Sequence, residues 1–361
     1  MRLSRLITIA VATATIAFAG CSASSTSAIA PGAGPAGHAR TTRFAFGHST
    51  SVLPRALQAR VANPVKSNPN LSHNSCPASG TLIYVSDAAF GLVNIYDSGL
   101  ALCGQLSGFV EPQGITVHGG NLYVANTLGN PNGTGEIDEF HRGATSPFRK
   151  YTDPSGQYVV DVAVTGDGTV VGSNIFSPNT GIGSISTWHH GGRFVGNFVL
   201  PNMAESFFLD ATDNGTLFSD GFDSINFATT FWTFTCPAGA CTSGTELGQA
   251  MAFPGGVVDT QSGDILASDQ LSSADTFEMP SLSPATFATT SGGDTVTLDE
   301  VGSPGDGPRP GGISQVYGAD AVFNQTVCYQ YKQNGSSPGG CGSVAGNSGG
   351  TALGVAIDSG S

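Results

Sequence analysis

The sequence predicts an all-β protein built from a repeated unit. A short apolar stretch that ends in a small residue and then Asp or Asn occurs six times, and the final residues of the copies are Asp87, Asn126, Asn174, Asp220, Asp269 and Asp320. Successive copies are 39, 48, 46, 49 and 51 residues apart, a spacing typical of repeat architectures. The chain also contains 51 Gly and only 11% charged residues, which suits short strands joined by tight turns.

Each unit carries the pattern of a four-stranded antiparallel sheet. The repeated stretch is the second strand, and a Gly-, Asn- or Asp-rich turn such as Thr165–Gly168 joins it to a first strand. The first strands are predicted at residues 114–117, 160–164, 207–210, 256–259, 296–298 and 354–358. Third strands end in an aromatic residue, at Tyr96, Phe140, Trp188, Phe234 and Tyr331. Six copies of the first two strands predict a six-bladed β-propeller of four-stranded antiparallel blades.

The two ends of the chain predict how the ring closes. The repeats open on a second strand at residues 82–87, with no first strand before it, and end on a first strand at residues 352–358. Pairing the last strand with the first copy completes one blade and removes the open sheet edge that would otherwise aggregate. We therefore expect a propeller over residues 76–361, with its ring closed by the C-terminal strand.

The second unit resembles a known repeat. Pro112–Val117, the turn that follows, and Asn121–Asn126 are similar to the NHL repeat of the six-bladed superfamily that includes the SMP-30/gluconolactonase-like enzymes. The resemblance covers residues 76–361, and its motifs specify architecture. It implies that a divalent metal could bind near the channel mouth, through an acidic residue ahead of a first strand and Asn and Asp residues from other blades.

The N-terminal 75 residues are predicted to lie outside the propeller. Residues 1–21 combine Arg2 and Arg5 with an apolar run and then Ala19-Gly20-Cys21, which resembles a bacterial lipoprotein signal with Cys21 as the lipidated residue. The alternative is an ordinary cleaved signal with an incidental cysteine. Residues 22–75 are rich in Ser, Ala, Gly and Pro, which predicts a disordered tether. The chain would then be exported and anchored to the cell envelope by lipid alone, in the periplasm, on the outer membrane or at the cell surface.

Six cysteines other than Cys21 predict disulfide bonds. An even number in an exported chain favours disulfides, although six cysteines permit 15 pairings. Proximity in the sequence favours Cys236–Cys241 and Cys328–Cys341, and Cys76–Cys103 follows by elimination.

The charge distribution excludes one class of partner. Residues 76–361 contain 26 acidic and 6 basic residues, a net charge of −20. The charged residues of segment 22–75 are all basic. An acidic body repels phosphate backbones, so we expect no nucleic-acid partner.

The six repeated Asp and Asn residues fall near the channel mouth of the predicted propeller, together with Glu111 and Glu205. Their oxygens could hold a hard cation such as Ca²⁺, or each side chain could cap its own turn. The set predicted to bind a ligand is Asp87, Glu111, Asn126, Asn174, Glu205, Asp220, Asp269 and Asp320. Glu111, Asn174 and Asp220 are the metal ligands that the resemblance implies.

The sequence favours binding over catalysis. It contains no phosphate loop, zinc helix or EF-hand pattern, and Gly346–Gly350 only superficially resembles a serine protease loop. No catalytic residue and no required cofactor are predicted. We expect a monomeric binding or scaffolding module for an extracytoplasmic protein, peptide or glycan. The alternative is a divalent-metal-dependent lactonase or related hydrolase with its site at the channel mouth.

Overall fold

The structure is a computed structural model. It describes residues 75–177, 180–212, 215–225, 228–246, 254–259, 265–269, 276–278, 283–285, 295–300, 314–320, 324–331, 340–346 and 350–360. The predicted signal, Cys21 and the tether up to residue 74 lie outside these residues. Within the described part of the chain, no helix is long and apolar enough to cross a membrane.

The described residues form consecutive antiparallel sheets, which confirms the all-β prediction. Sheet A contains β1 (Leu82–Asp87), β2 (Leu92–Asp97) and β3 (Leu102–Ser107). Sheet B contains β4 (Pro112–His118), β5 (Asn121–Asn126), β6 (Glu136–His141) and β7 (Arg149–Thr152). Sheet C contains β8 (Val159–Val164), β9 (Val170–Asn174), β10 (Ser184–Trp188) and β11 (Phe194–Phe198). Sheet D contains β12 (Met203–Ala211), β13 (Thr216–Asp223), β14 (Ala228–Thr235) and β15 (Thr245–Glu246).

The C-terminal half continues the series. β16 (Pro254–Asp259) pairs with β17 (Ile265–Asp269) to form sheet E, and β18 (Thr276–Glu278) pairs with β19 (Ser283–Ala285) to form sheet F. Sheet G contains β20 (Thr295–Glu300), β21 (Ser314–Asp320), β22 (Gln325–Tyr331) and β23 (Gly340–Ala345).

The last strand, β24 (Ala352–Asp358), joins sheet A. It pairs antiparallel with β1, so that Leu82 lies opposite Asp358 and Val85 opposite Val355. All seven residues of β24 are buried. The Arg142 guanidinium, at the end of sheet B, forms an ion pair with Asp358 and also donates to the carbonyl of Gly80. The two ends of the described chain are therefore held together.

The first strands of successive sheets lie against one another. β24 contacts β4, β4 contacts β8, and β8 contacts β12; β12 contacts β16, β16 contacts β20, and β20 contacts β24. Each of these strands also carries a register shift near its start, for example between Pro112 and Ile115 in β4. Such bulges bend a strand and turn backbone groups away from the ladder, towards other partners.

Apolar side chains pack within and between the sheets. The third-strand aromatic residues Tyr96, Phe140, Trp188 and Phe234 are each buried, which agrees with a packing role. Gly172 lies where an added Cβ would approach the Trp188 ring, Ile137 and Val159 to about 3 Å, which explains a glycine in the middle of β9.

Two disulfide predictions are confirmed. Cys76 is bonded to Cys103 and ties the segment before β1 to β3, and Cys236 is bonded to Cys241 across a short 3₁₀ turn at Pro237–Gly239. Cys328 is also disulfide-bonded, but the side chain of its predicted partner, Cys341, lies outside the described residues. Disulfides suggest an extracytoplasmic location.

One second strand is longer than expected. The repeat pattern ends the second strand of the fourth unit at Asp220, but β13 runs to Asp223 and β14 begins at Ala228. Gly221 pairs with Thr230 and Phe222 with Thr229, and the aromatic Phe222 and the β-branched Thr229 and Thr230 favour this extension of the hairpin. Glu205, expected just before a first strand, lies within β12.

Candidate ligand-binding face

Most predicted site residues lie at one end of the sheets, which we call the loop face, but Asp220 lies inside β13 and Glu205 inside β12. The loop face consists of the described residues within 88–91, 127–135, 175–183 and 224–225, which follow second strands, and within 108–111, 153–158 and 199–202, which lead to the next sheet. Both kinds of segment lie at the same end because second and fourth strands of an antiparallel sheet run in the same direction. The opposite end, which carries the tight turns, is called the turn face.

Backbone hydrogen bonds connect the loops of this face. Within sheets, Ala88 N donates to Thr351 O, Leu128 N to Val110 O and Ile175 N to Tyr158 O. Between sheets, Gly135 N donates to Gln157 O at 2.7 Å and Gly183 N to Ala204 O at 2.6 Å. The loop face is thus hydrogen-bonded from sheet B to sheet D, and its loops support one another.

Asp87 and Asn126 are buried and bind backbone N–H groups of their own sheets. Asp87 Oδ1 accepts from Phe90 N at 3.2 Å and from Thr351 N at 3.0 Å. Asn126 Oδ1 accepts from Val110 N at 2.7 Å, while its Nδ2 donates to Asp138. These side chains therefore tie second strands to the segment that leads into the first strand of the same sheet.

Asn174 belongs to a buried polar network. Its Nδ2 donates to the hydroxyls of Ser184 and Ser186, and Ser186 donates to Asp153 Oδ2 at 2.6 Å. Asn197 Nδ2 also donates to Asp153 Oδ2, at 3.1 Å. The Asn174 Oδ1 atom is buried and has no hydrogen-bond partner in the described part of the chain.

Asp220 lies beside a second buried carboxyl, Asp161, which sequence reasoning did not single out. Asp220 Oδ1 accepts from Phe208 N at 2.7 Å, and Asp161 Oδ2 accepts from Leu209 N at 2.9 Å. The two side chains thus bind successive N–H groups released by the bulge of β12. Asp161 joins sheet C to sheet D and packs so tightly on Gly114 that no Cβ would fit there.

Burial dominates the electrostatics of this pair. Removal from water raises the pKa of both carboxyls well above the ordinary value for Asp, since the charged form loses its hydration. The charge of Asp161 raises the pKa of Asp220 further, and Asp210 acts in the same way on Asp161. The second oxygen of Asp220, Oδ2, has no hydrogen-bond partner among the described residues.

The two glutamates are half-buried. Glu111 has a φ of 62°, a conformation unusual for a residue with a side chain, and its Oε1 accepts from Gln113 Nε2 at 3.4 Å. Glu205 adjoins Ala204, whose carbonyl binds the loop of sheet C. The side chains of Asp269 and Asp320 lie outside the described residues. Among those described, no three His, Cys, Asp or Glu side chains are grouped as a metal site would require.

Serine residues that precede the repeated Asp or Asn form contacts that the sequence did not predict. Ser86 Oγ donates to Gln113 O in β4 at 2.5 Å and accepts from Gly354 N in β24 at 2.7 Å. Ser173 Oγ donates in the same way to Phe207 O in β12. The sequence does show a small residue at this position of each repeat. The carbonyls that accept from Ser86 and Ser173, those of Gln113 and Phe207, lie in the next sheet and depend on the bulges, so these bonds could not be predicted.

A cavity of about 390 Å³ lies at the turn face, away from the predicted site. Hydroxyl groups of β13, β14 and the segment before β15 dominate its lining: Thr216, Thr233, Phe234, Thr235, Thr242, Ser243, Gly244 and Thr245.

Comparison with known proteins supports the fold class. No protein-family model and no curated protein matches the sequence. The structure is similar to a chain of a nidogen/laminin complex, with 10% identity, a TM-score of 0.51, and coverage of 77% of this chain and 98% of that one. It is also similar to a protein of unknown function from Bacteroides caccae, with 9% identity, a TM-score of 0.53, and coverage of 78% and 99%.

A third similarity is weaker. A putative 6-phosphogluconolactonase from Bacteroides fragilis aligns with 10% identity, a TM-score of 0.49, and coverage of 81% of this chain and 99% of that one. Likeness at 9–10% identity shows the fold alone. The sheets and the structural neighbours are consistent with a β-propeller, and they leave its activity open.

Proposed function

We propose that this chain is an exported, lipid-anchored, six-bladed propeller whose loop face binds an extracytoplasmic protein, peptide or glycan without catalysis. One observation carries the binding proposal: the loops are hydrogen-bonded to one another across three successive sheets, B to D. A supported loop surface keeps its shape before a partner arrives, so less conformational entropy is lost on binding. On this face, the side-chain oxygens of Asp87 and Asn126 accept hydrogen bonds from backbone N–H groups.

Two observations support six blades in a closed ring. β24 pairs with β1, and the first strands contact one another in the order β24, β4, β8, β12, β16, β20 and again β24. The hairpins β16–β17 and β18–β19 would together form the fifth blade, since β17 also contacts β18. The predicted lipid anchor at Cys21 rests on the sequence, and the disulfides support export.

Photo-crosslinking in intact cell envelopes tests the binding proposal. Benzoylphenylalanine placed at Asn132 or Thr180, both on the loop face, should give a discrete adduct with a partner. His190 and Arg193, which are exposed on the turn face, serve as matched controls and should give none. Adducts of equal yield from both faces, or none from the loop face, would contradict the proposal.

A specific observation keeps a metal-dependent hydrolase as the second candidate. Asn174 Oδ1 and Asp220 Oδ2, two of the ligand residues implied by the family resemblance, are buried oxygens without hydrogen-bond partners in the described chain. Oxygen atoms of this kind suit Ca²⁺. Calorimetric titration with CaCl₂, together with hydrolysis assays on gluconolactone, separates the candidates. Tight binding and hydrolysis that are both lost in Asp220→Asn but kept in Asp167→Asn would favour the hydrolase.

A further inference from the structure

Three exposed aliphatic side chains lie on loop-face segments of sheets C and D whose neighbouring residues are hydrogen-bonded to β12 or to the segment before it. Ile182, Val199 and Ile225 are 42%, 57% and 63% exposed, respectively. We call these three residues the aliphatic patch. Leu102 and Phe148, the other large apolar side chains exposed in the described chain, lie near the turn face. Single exposed apolar residues are ordinary on protein surfaces, but neighbouring ones on a binding face indicate contact with a partner.

The backbone holds the patch in place. Gly183 N, next to Ile182, donates to Ala204 O at 2.6 Å. Ser224, next to Ile225, donates to Asn202 O through both its backbone N at 2.8 Å and its hydroxyl at 3.0 Å. The neighbour of Val199, Leu200, is buried in the core, so Val199 is directed outward from an anchored segment. The three side chains therefore come from loops that are bonded to β12 or to the segment just before it.

The charge around the patch is acidic. Glu205 follows the Ala204 carbonyl, and Glu246 accepts from Asn202 Nδ2 at 3.3 Å. Arg193 is the only Lys or Arg in the sequence between residues 151 and 308, and it lies on the turn face. A partner that approaches this surface meets acidic groups beside an apolar centre.

We propose that the aliphatic patch docks an extended peptide segment of a partner protein, with aliphatic side chains flanked by Lys or Arg. This inference rests on the proposed binding function and names the class of partner. The aliphatic residues of the segment would cover Ile182, Val199 and Ile225, while its cations would face Glu205 and Glu246. Complementary charge selects the partner and its orientation, and burial of the apolar centre supplies affinity.

Retention of peptide pools on the immobilised full-length mature protein tests this inference. Three pools of random heptapeptides are used. The first pool contains Lys and Arg together with Leu, Ile and Val. The second replaces Lys and Arg by Asp and Glu, and the third keeps Lys and Arg but replaces the aliphatic residues by Ser and Gly. We expect the first pool to be retained at least tenfold more than the other two. The double variant Ile182→Ser, Ile225→Ser should lose at least tenfold of this retention, as should the independent variant Val199→Ser. Leu102→Ser, an exposed substitution near the turn face, should retain the pool like the unaltered protein.

Several results would overturn the inference. Equal retention of the acidic or the Ser/Gly pool, or undiminished retention by the patch variants, would remove the peptide assignment. Dimerisation in sedimentation experiments that is abolished by the double variant would assign the patch to a second copy of the chain instead. Crosslinking from Asn132 and Thr180 without any preference for the first pool would overturn this inference and leave the proposed function intact. Absence of crosslinking from the loop face would remove the proposed function itself.

Discussion

The carboxyls of Asp161 and Asp220 show how buried polar groups serve this structure. Each binds one N–H group released by the bulge of β12; the bond to Asp220 lies within sheet D, and the bond to Asp161 joins sheet D to sheet C. Burial keeps their pKa high, so that they remain neutral over a wider pH range than exposed carboxyls do. The bonds that they accept hold the bulge in place.

This arrangement predicts the pH dependence of stability. The carboxyl of Asp220 ionises above about pH 4 in the unfolded chain but stays neutral to a higher pH when folded. The folded state therefore loses stability as pH rises from 4 towards the raised pKa, by at most about 1.4 kcal/mol per pH unit. Asp220→Asn cannot ionise, so its unfolding free energy relative to the unaltered protein should rise between pH 4 and pH 8. Urea denaturation at pH 4, 6 and 8 measures this difference.

Asp167 provides a control of opposite sign. Although burial raises the pKa of this turn-face carboxyl, hydrogen bonds from Thr165, Thr169 and Ala238 outweigh it and lower the pKa overall. Its stabilising contribution is complete above the unfolded pKa of about 4 and is lost as pH falls below that value. The deficit of Asp167→Asn relative to the unaltered protein should therefore be nearly constant from pH 6 to pH 8 and should shrink when urea denaturation is repeated at pH 3. Curves for the two variants that run parallel from pH 3 to pH 8 would contradict both assignments.

Between elements, the recurring contact is a serine of a second strand that reaches the bulged first strand of the next sheet. Ser86 and Ser173 both form it, and Ser86 is fully buried. The serine hydroxyl donates a hydrogen bond to a carbonyl that, because of the bulge, is not bonded to the neighbouring strand of its own sheet. Successive sheets are thus joined by hydrogen bonds as well as by apolar packing.

Ser86→Ala tests this contact. The change leaves the Gln113 carbonyl and the Gly354 N–H without the Ser86 hydroxyl in a buried setting, which should lower the unfolding free energy by about 2 kcal/mol. Ser107→Ala, at the exposed end of β3, should change it by less than about 0.5 kcal/mol. Urea denaturation of both variants gives the comparison, and equal losses would show that the Ser86 bonds add nothing.

The strands could be predicted from the sequence because each repeat contains the same apolar pattern and the same turn residues. The pairs Cys76–Cys103 and Cys236–Cys241 also followed from the cysteine count, from spacing and from elimination. The bulges could not be predicted, since they depend on contacts between sheets. For the same reason the role of Asp161, which occurs once and has no counterpart in the repeat pattern, was not foreseen.

At the scale of the whole molecule, the two ends of the described chain meet in sheet A. β24 is buried along its full length between β1 and the first strands of neighbouring sheets. Arg142 of sheet B binds both Asp358, at the end of β24, and the Gly80 carbonyl just before β1. The closed ring that we propose depends on this strand.

Thermal unfolding of a chain truncated after Gly350 tests this dependence most directly. Loss of β24 exposes one edge of β1 and the core beneath it, so the truncated protein should show no cooperative unfolding transition. As a control, removal of only Gly360 and Ser361 should leave Tm close to that of the full chain. Cooperative unfolding of the truncated chain at the Tm of the full chain would contradict closure by the C-terminal strand.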